Sequence, residues 1–239
     1  PLTQKGNVMD KLETAGILKG QVALVTGASR GAGLGIATEL GAAGATVYVT
    51  GRSTRHNPAQ SYGQILALSG LTTMPGNIDD TAEAVNRAGG IGVPVQCDHA
   101  CDDEVQALFA RLRQEQGRLD LLVNNAWGGH ETFDGVFNAP FWEHRVEHWD
   151  SMMNRGVRNH LLATRAAAPL FVSQGHGLIV TTTYWDRNRY LRGGSRHRQD
   201  ESAEASPLSA PPPGLELPPG ASFDPDPQSG TRSAHIEHK

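Results

Sequence analysis

Apolar residues alternate between short continuous runs and longer stretches with helical spacing. The run QVALVT at 21–26 is closed by glycine, as for a strand covered on both faces. Residues 34–43 place Ile36, Ala37 and Leu40 on one helical face, with Gly44 as a stop. A second β-branched run lies at 46–50. Within the long connection 53–92, residues 79–88 predict a short helix with acids near its start. A third strand is expected at 93–97. A helix is expected at 103–116, with Asp102 as its cap and Val105, Leu108, Phe109 and Leu112 on one stripe. A fourth strand falls at 119–123. The longest helical pattern, 148–164, aligns Trp149, Met152, Met153, Gly156, Val157, His160 and Leu161, and a fifth strand falls at 177–182. Such alternation predicts an α/β fold: a doubly wound parallel sheet of Rossmann type covered on both faces.

The pattern changes at about Arg192. Residues 192–239 hold 8 of the 14 prolines, no valine and few large apolar residues, a composition that suits a disordered tail. Three segments are therefore expected: an N-terminal extension at 1–19, a nucleotide-binding domain at 20–191 and a Pro/Ser/Gly-rich tail at 192–239. The sheet would be incomplete on its C-terminal side.

Charge and composition exclude several functions. With a net charge of −4 and 6% aromatics, the chain suits neither phosphate-backbone binding nor base stacking, so no nucleic-acid partner is expected. No run of 18 apolar residues occurs, so no membrane span is expected. The first 19 residues lack an apolar signal core, which points to a cytoplasmic protein. Cys97 and Cys101 read as reduced thiols, and no metal site is expected because no His/Cys pair at metal spacing accompanies them. His144 and His148 lack a third ligand. Phe141, Trp142 and Trp149 read as packing residues about a helix start.

The most informative segment is TGASRGAG at 26–33. Gly27, Gly31 and Gly33 permit a tight turn and let a pyrophosphate approach the backbone where a helix begins. Ser29 and Arg30 lie in the same loop. Three markers in order make the chain resemble the short-chain dehydrogenase/reductase family: this loop, Asp98 after the third strand, and Asn124-Asn125-Ala126 at the end of the fourth. The resemblance covers about 20–191. It implies that Asp98 contacts adenine, that 124–126 support the sheet and line the cofactor site, and that the chain is an NAD(P)-dependent oxidoreductase. Its substrate would be a small carbonyl or alcohol.

The second strand ends Thr50-Gly51-Arg52, with no acid to bind a ribose 2′-hydroxyl. Arg52 and Arg30 are suited instead to a 2′-phosphate, so NADP(H) is expected over NAD(H).

The catalytic set departs from the family. Its members use a tyrosine whose phenolate is favoured by a lysine four residues on. No Tyr-x-x-x-Lys occurs here: the tyrosines are 48, 62, 184 and 190, and after Lys19 the only lysine is Lys239. The family's serine falls near Tyr184, with Thr183 as the substitute. Its helix asparagine falls on Gly156. The chain resembles a family member truncated or frameshifted after about residue 191. Activity is expected to be impaired, and a homo-oligomer is doubtful with the family's next helix missing. Two other readings stand beside it: a non-catalytic dinucleotide-binding module and a nonfunctional frameshifted product.

Overall fold

The computed structural model describes residues 16–58, 75–129 and 141–183, and the backbone of 221–225 and 232–236. In chain order the first unit contains β1 (Val22–Val25), α1 (Gly31–Ala42), β2 (Thr46–Gly51), α2 (Ile78–Ala88), β3 (Ile91–Gln96), α3 (Asp102–Gln116) and β4 (Leu121–Asn124). Next come a 3-10 turn (Phe141–Glu143), α4 (Val146–Met153), a wide turn (Asn154–Arg158), α5 (Asn159–Gln174) and β5 (Leu178–Thr181). A second unit holds β6 (Ala221–Pro225) and β7 (Arg232–Ile236), paired antiparallel.

All five strands of the first unit are parallel, in the order β3-β2-β1-β4-β5. Alternate strand residues supply two cores. Val22, Leu24, Tyr48 and Leu122 face Val105, Leu108, Phe109 and Leu112 of α3 and Ala163, Ala167 and Leu170 of α5. Val25, Val47, Val49 and Val123 face Ala37 of α1 and Ile78, Ala82 and Val85 of α2. Each large buried aliphatic contributes ~1.5–3 kcal/mol, which is why continuous apolar runs are legible as two-faced strands. Pro94 lies in β3, an edge strand where a missing N–H is tolerated. β5 forms the other edge, with Leu178, Ile179 and Val180 exposed.

Buried polar groups fasten the ends of the strands opposite the site. The nearly buried Asp120 carboxylate accepts from Val22 N (2.8 Å), Arg118 Nε (3.0 Å) and His176 Nε2 (3.2 Å). Burial opposes its charge, but the Arg118, Val22 and His176 donors hold its pKa below the ordinary value. Tyr48 donates to Glu115 at 2.6 Å, and burial with that bond pushes its phenol up to about 12.

Several expectations differ from the structure. Asp102 does not cap α3: Cys101 occupies the cap position without a side-chain bond, and Asp102 pairs with Arg158 at 2.7 and 2.8 Å. An oppositely charged, bidentate partner outcompetes the helix amides. The helix expected at 148–164 is divided by the wide turn, which adds a residue to one turn and rotates the next helix by ~100°. Val157 and Leu161 are consequently exposed, Trp149 before the turn is exposed as well, and the core face of α5 is Asn159, Ala163, Ala167 and Leu170. Within 192–239, the described residues are those of β6 and β7, whose backbones pair antiparallel. Residues 1–15, 59–74, 130–140 and the rest of 184–239, including Tyr184 and Tyr190, lie outside the described residues.

Candidate dinucleotide site

The strand order reverses between β1 and β4, and a crevice at the carboxyl ends of such strands is where parallel sheets bind ligands. The loop after β1 and the segment after β4 meet there. Thr26 Oγ1 donates to Val123 O (3.2 Å) and accepts from the N–H groups of Asn125 and Ala126, both at 2.9 Å. Asn125 Nδ2 donates to Thr26 O (2.9 Å) and Gly27 O (3.0 Å). One hydroxyl and one amide thus set the shape of the glycine loop.

The glycines are required sterically. Gly27 has φ +64°, and a Cβ there would lie 2.6 Å from Ala126 Cα. A Cβ on Gly33 would lie 2.5 Å from Asn125 Nδ2 and 2.6 Å from Gly27 O. No side-chain bond caps α1 at Arg30, and its first turn carries no acid. Above Gly31 the space is open: a Cβ would meet nothing within 4 Å. Uncapped amides beside open space suit a pyrophosphate, so the residues present fit a dinucleotide. Such a group, when bound, supplies or accepts a hydride; the loop would hold its phosphates.

At the end of β2, the buried Ser53 hydroxyl accepts from Arg30 at 3.0 Å. Arg30 also donates to Pro75 O (2.7 Å) and Gly76 O (3.0 Å). The guanidinium of Arg30 is thereby brought beside the strand end that carries Arg52. Ser29, in the loop itself, is buried. Asp98 lies just after β3, accepts from Ala100 N at 3.0 Å and is paired with Arg155 at 3.1 Å. Burial works against its charge, but Ala100 N–H and Arg155, with the charge of Arg52, keep its carboxyl below the usual range.

The 124–126 segment divides its work. Asn124 turns its amide to Thr164 (3.0 Å), a bridge from sheet to α5, whereas Asn125 faces the loop. Thr183 is exposed at the end of β5. Its neighbour Thr182 is the hydroxyl that reaches inward, donating to Asn125 Oδ1 at 3.3 Å. Cys97 is buried, and burial with the Glu104 and Asp98 charges pushes its thiol up to about 12. His144 and His148 stack with ring centroids 6.1 Å apart. Among the described residues no group of three His, Cys, Asp or Glu could hold a metal, and no helix is long and apolar enough to cross a membrane.

Sequence reasoning missed Ser53, Arg155 and Asn159. Buried Asn159 donates to Ala126 O and Arg155 O, both at 2.7 Å, and His160 Nε2 donates to Ala126 O at 2.9 Å. At Gly156, where the family's asparagine falls, a Cβ would lie 3.0 Å from Trp127 Nε1; the indole fills that place. Neither substitution could be read without the wide turn, which moves Asn159 onto the core face.

Comparison with known proteins agrees with this architecture. The sequence profile of short chain dehydrogenase matches residues 65–184. Mouse "Dehydrogenase/reductase SDR family member 1" is 43% identical over 164 residues, covering 68% of this chain and 46% of that protein. The chain therefore spans about half the length of the curated relative it matches. A short-chain dehydrogenase from Mycobacterium thermoresistibile superposes with a TM-score of 0.57 at 26% identity, covering 71% of this chain and 53% of the other. A metagenomic short-chain oxidoreductase solved in complex with NADP gives 0.53 at 28% identity, with 74% and 68% coverage. A glycine loop clamped by Asn125 at the switch point of a parallel sheet, matched in both sequence and fold, places this chain in the short-chain dehydrogenase/reductase family.

Proposed function

We propose that this chain binds NADP(H) as an oxidoreductase of the short-chain type, acting on a carbonyl or alcohol, with proton transfer impaired. The observation that carries the cofactor reading is the end of β2. Arg30 is bonded to Ser53, immediately after Arg52, on a strand that ends without an acid. Two arginines there favour a 2′-phosphate, each charge-assisted bond contributing about 1.5–3 kcal/mol. Gly27, Ser29, Gly31 and Gly33 would cradle the pyrophosphate, Asp98 would take the adenine, and 124–126 would line the site. At the end of β5, Thr183 would take the place of the family's serine at the substrate oxygen, beside Thr182. An NADP complex of a similar protein is consistent with this reading.

One observation favours a second reading, a dinucleotide-binding module without turnover: none of the four tyrosines is followed four residues on by lysine. Titration with NADPH and NADH, then NADPH absorbance across a carbonyl panel, separates the two. Tighter binding of NADPH, weakened by Arg52→Ala, supports the cofactor reading; equal affinity for both refutes it. Binding without any absorbance loss leaves the non-catalytic module.

A further inference from the structure

β2 and β3 run side by side with Gly51 opposite Gln96, and Cys97 N–H donates to Gly51 O at 3.0 Å. Arg52 and Asp98 therefore leave adjacent strand ends within one residue of the same level. An unopposed carboxylate at that corner would draw Arg52 toward itself and repel a phosphate. A second acid is close by, since Glu104 Oε2 accepts from Asp98 N at 2.7 Å.

The opposing charge comes from across the crevice. Arg155 reaches both Asp98 oxygens, at 3.1 and 3.3 Å, and each partner is about a third exposed. Its backbone is pinned in the wide turn: Arg155 O accepts from Gly128 N (3.0 Å) and from Asn159 Nδ2 (2.7 Å). Arg158, the other arginine of that turn, is paired with Asp102. Asn159 also holds Ala126 O, so the group that anchors Arg155 is fastened to the segment after β4.

We propose that Arg155 is a positioning residue for cofactor selection, neutralising Asp98 so that Arg52 and Arg30 act on a 2′-phosphate. This rests on the NADP(H) reading above. Removing one charge about two side chains from the phosphate, partly screened by salt, changes the NADPH-over-NADH preference by about five- to tenfold.

The test is fluorescence titration of the full chain with NADPH and NADH, comparing the ratio of dissociation constants. Arg155→Gln is expected to lose about five- to tenfold of the preference, and Arg155→Lys to retain most of it. Asp98→Asn/Arg155→Gln, with both charges gone, is expected to regain it. Dividing by the NADH constant removes adenine contacts common to both cofactors. An unchanged ratio in Arg155→Gln, with cooperative melting intact, overturns the proposal. So does a double variant as poor as Arg155→Gln, because Arg155 would then act directly on the phosphate. If Arg155→Gln does not fold, the lysine and double variants carry the same comparison: a lost preference in either overturns it. A wild-type chain with no NADPH preference refutes the cofactor reading itself and this inference with it.

Discussion

Acidification is expected to loosen the nucleotide-binding corner through a single histidine. His99 is buried between the ends of β2 and β3. His99 Nε2 lies 2.7 Å from Thr50 Oγ1, which also lies 3.2 Å from Val25 O, and Nδ1 faces the Cys97 thiol at 4.0 Å. In the doubly protonated ring the Nδ1 proton would meet only that weak acceptor in a buried setting. Burial accordingly depresses the pKa to about 4; the Asp98 charge opposes the shift and the His160 charge adds to it. The unfolded chain binds this proton more readily, so stability is complete above pH ~6.5 and falls as pH drops toward 4. The full loss is about 3 kcal/mol, and about 2 kcal/mol is lost by pH 5, or roughly 4–8 °C in melting temperature for a domain of this size. Asp98 and Asp120, whose pKa values are depressed, lose their contributions only below pH ~4, outside this window. The assay is denaturant unfolding of wild type and His99→Gln at pH 7 and pH 5. The stability gap between them should shrink by about 2 kcal/mol on acidification. A gap independent of pH would refute the burial argument.

Two substitutions test the scaffold. Gly33→Ala should displace the Asn125 amide from Thr26 O and Gly27 O, costing about 1–3 kcal/mol. Its signature is a lowered urea midpoint together with weaker dinucleotide binding; a variant matching wild type in both would show that the loop tolerates a Cβ. Asp120→Ala strands the buried Val22 N–H and breaks the ties to Arg118 and His176, so about 2–4 kcal/mol should be lost, read by thermal melting. Because Asp120 lies at the strand ends away from the crevice, the folded variant should keep its cofactor affinity, and a selective loss of binding would contradict its assignment to the scaffold.

Local spacing is enough to place every strand and most helices of the first unit. Apolar runs such as that around Leu24, short and closed by glycine, read as strands buried on both faces, and the 26–33 glycines announce a loop that backbone or phosphate approaches closely. Those signals are short-range, and so is the lack of an acid after Thr50. The wide turn at 154–158 is not legible, because one added residue changes the phase of a helix without altering its composition. That phase shift turns an expected core stripe outward and brings Asn159 inward to Ala126. The pairing of Asp98 with Arg155 spans 57 residues of sequence, and that of Asp102 with Arg158 spans 56. Charges so far apart along the chain find one another only after the sheet and α5 have packed. Sequence by itself determined that this chain builds a glycine-loop nucleotide fold; the tertiary structure decided which polar groups face that loop and which are consumed in holding it.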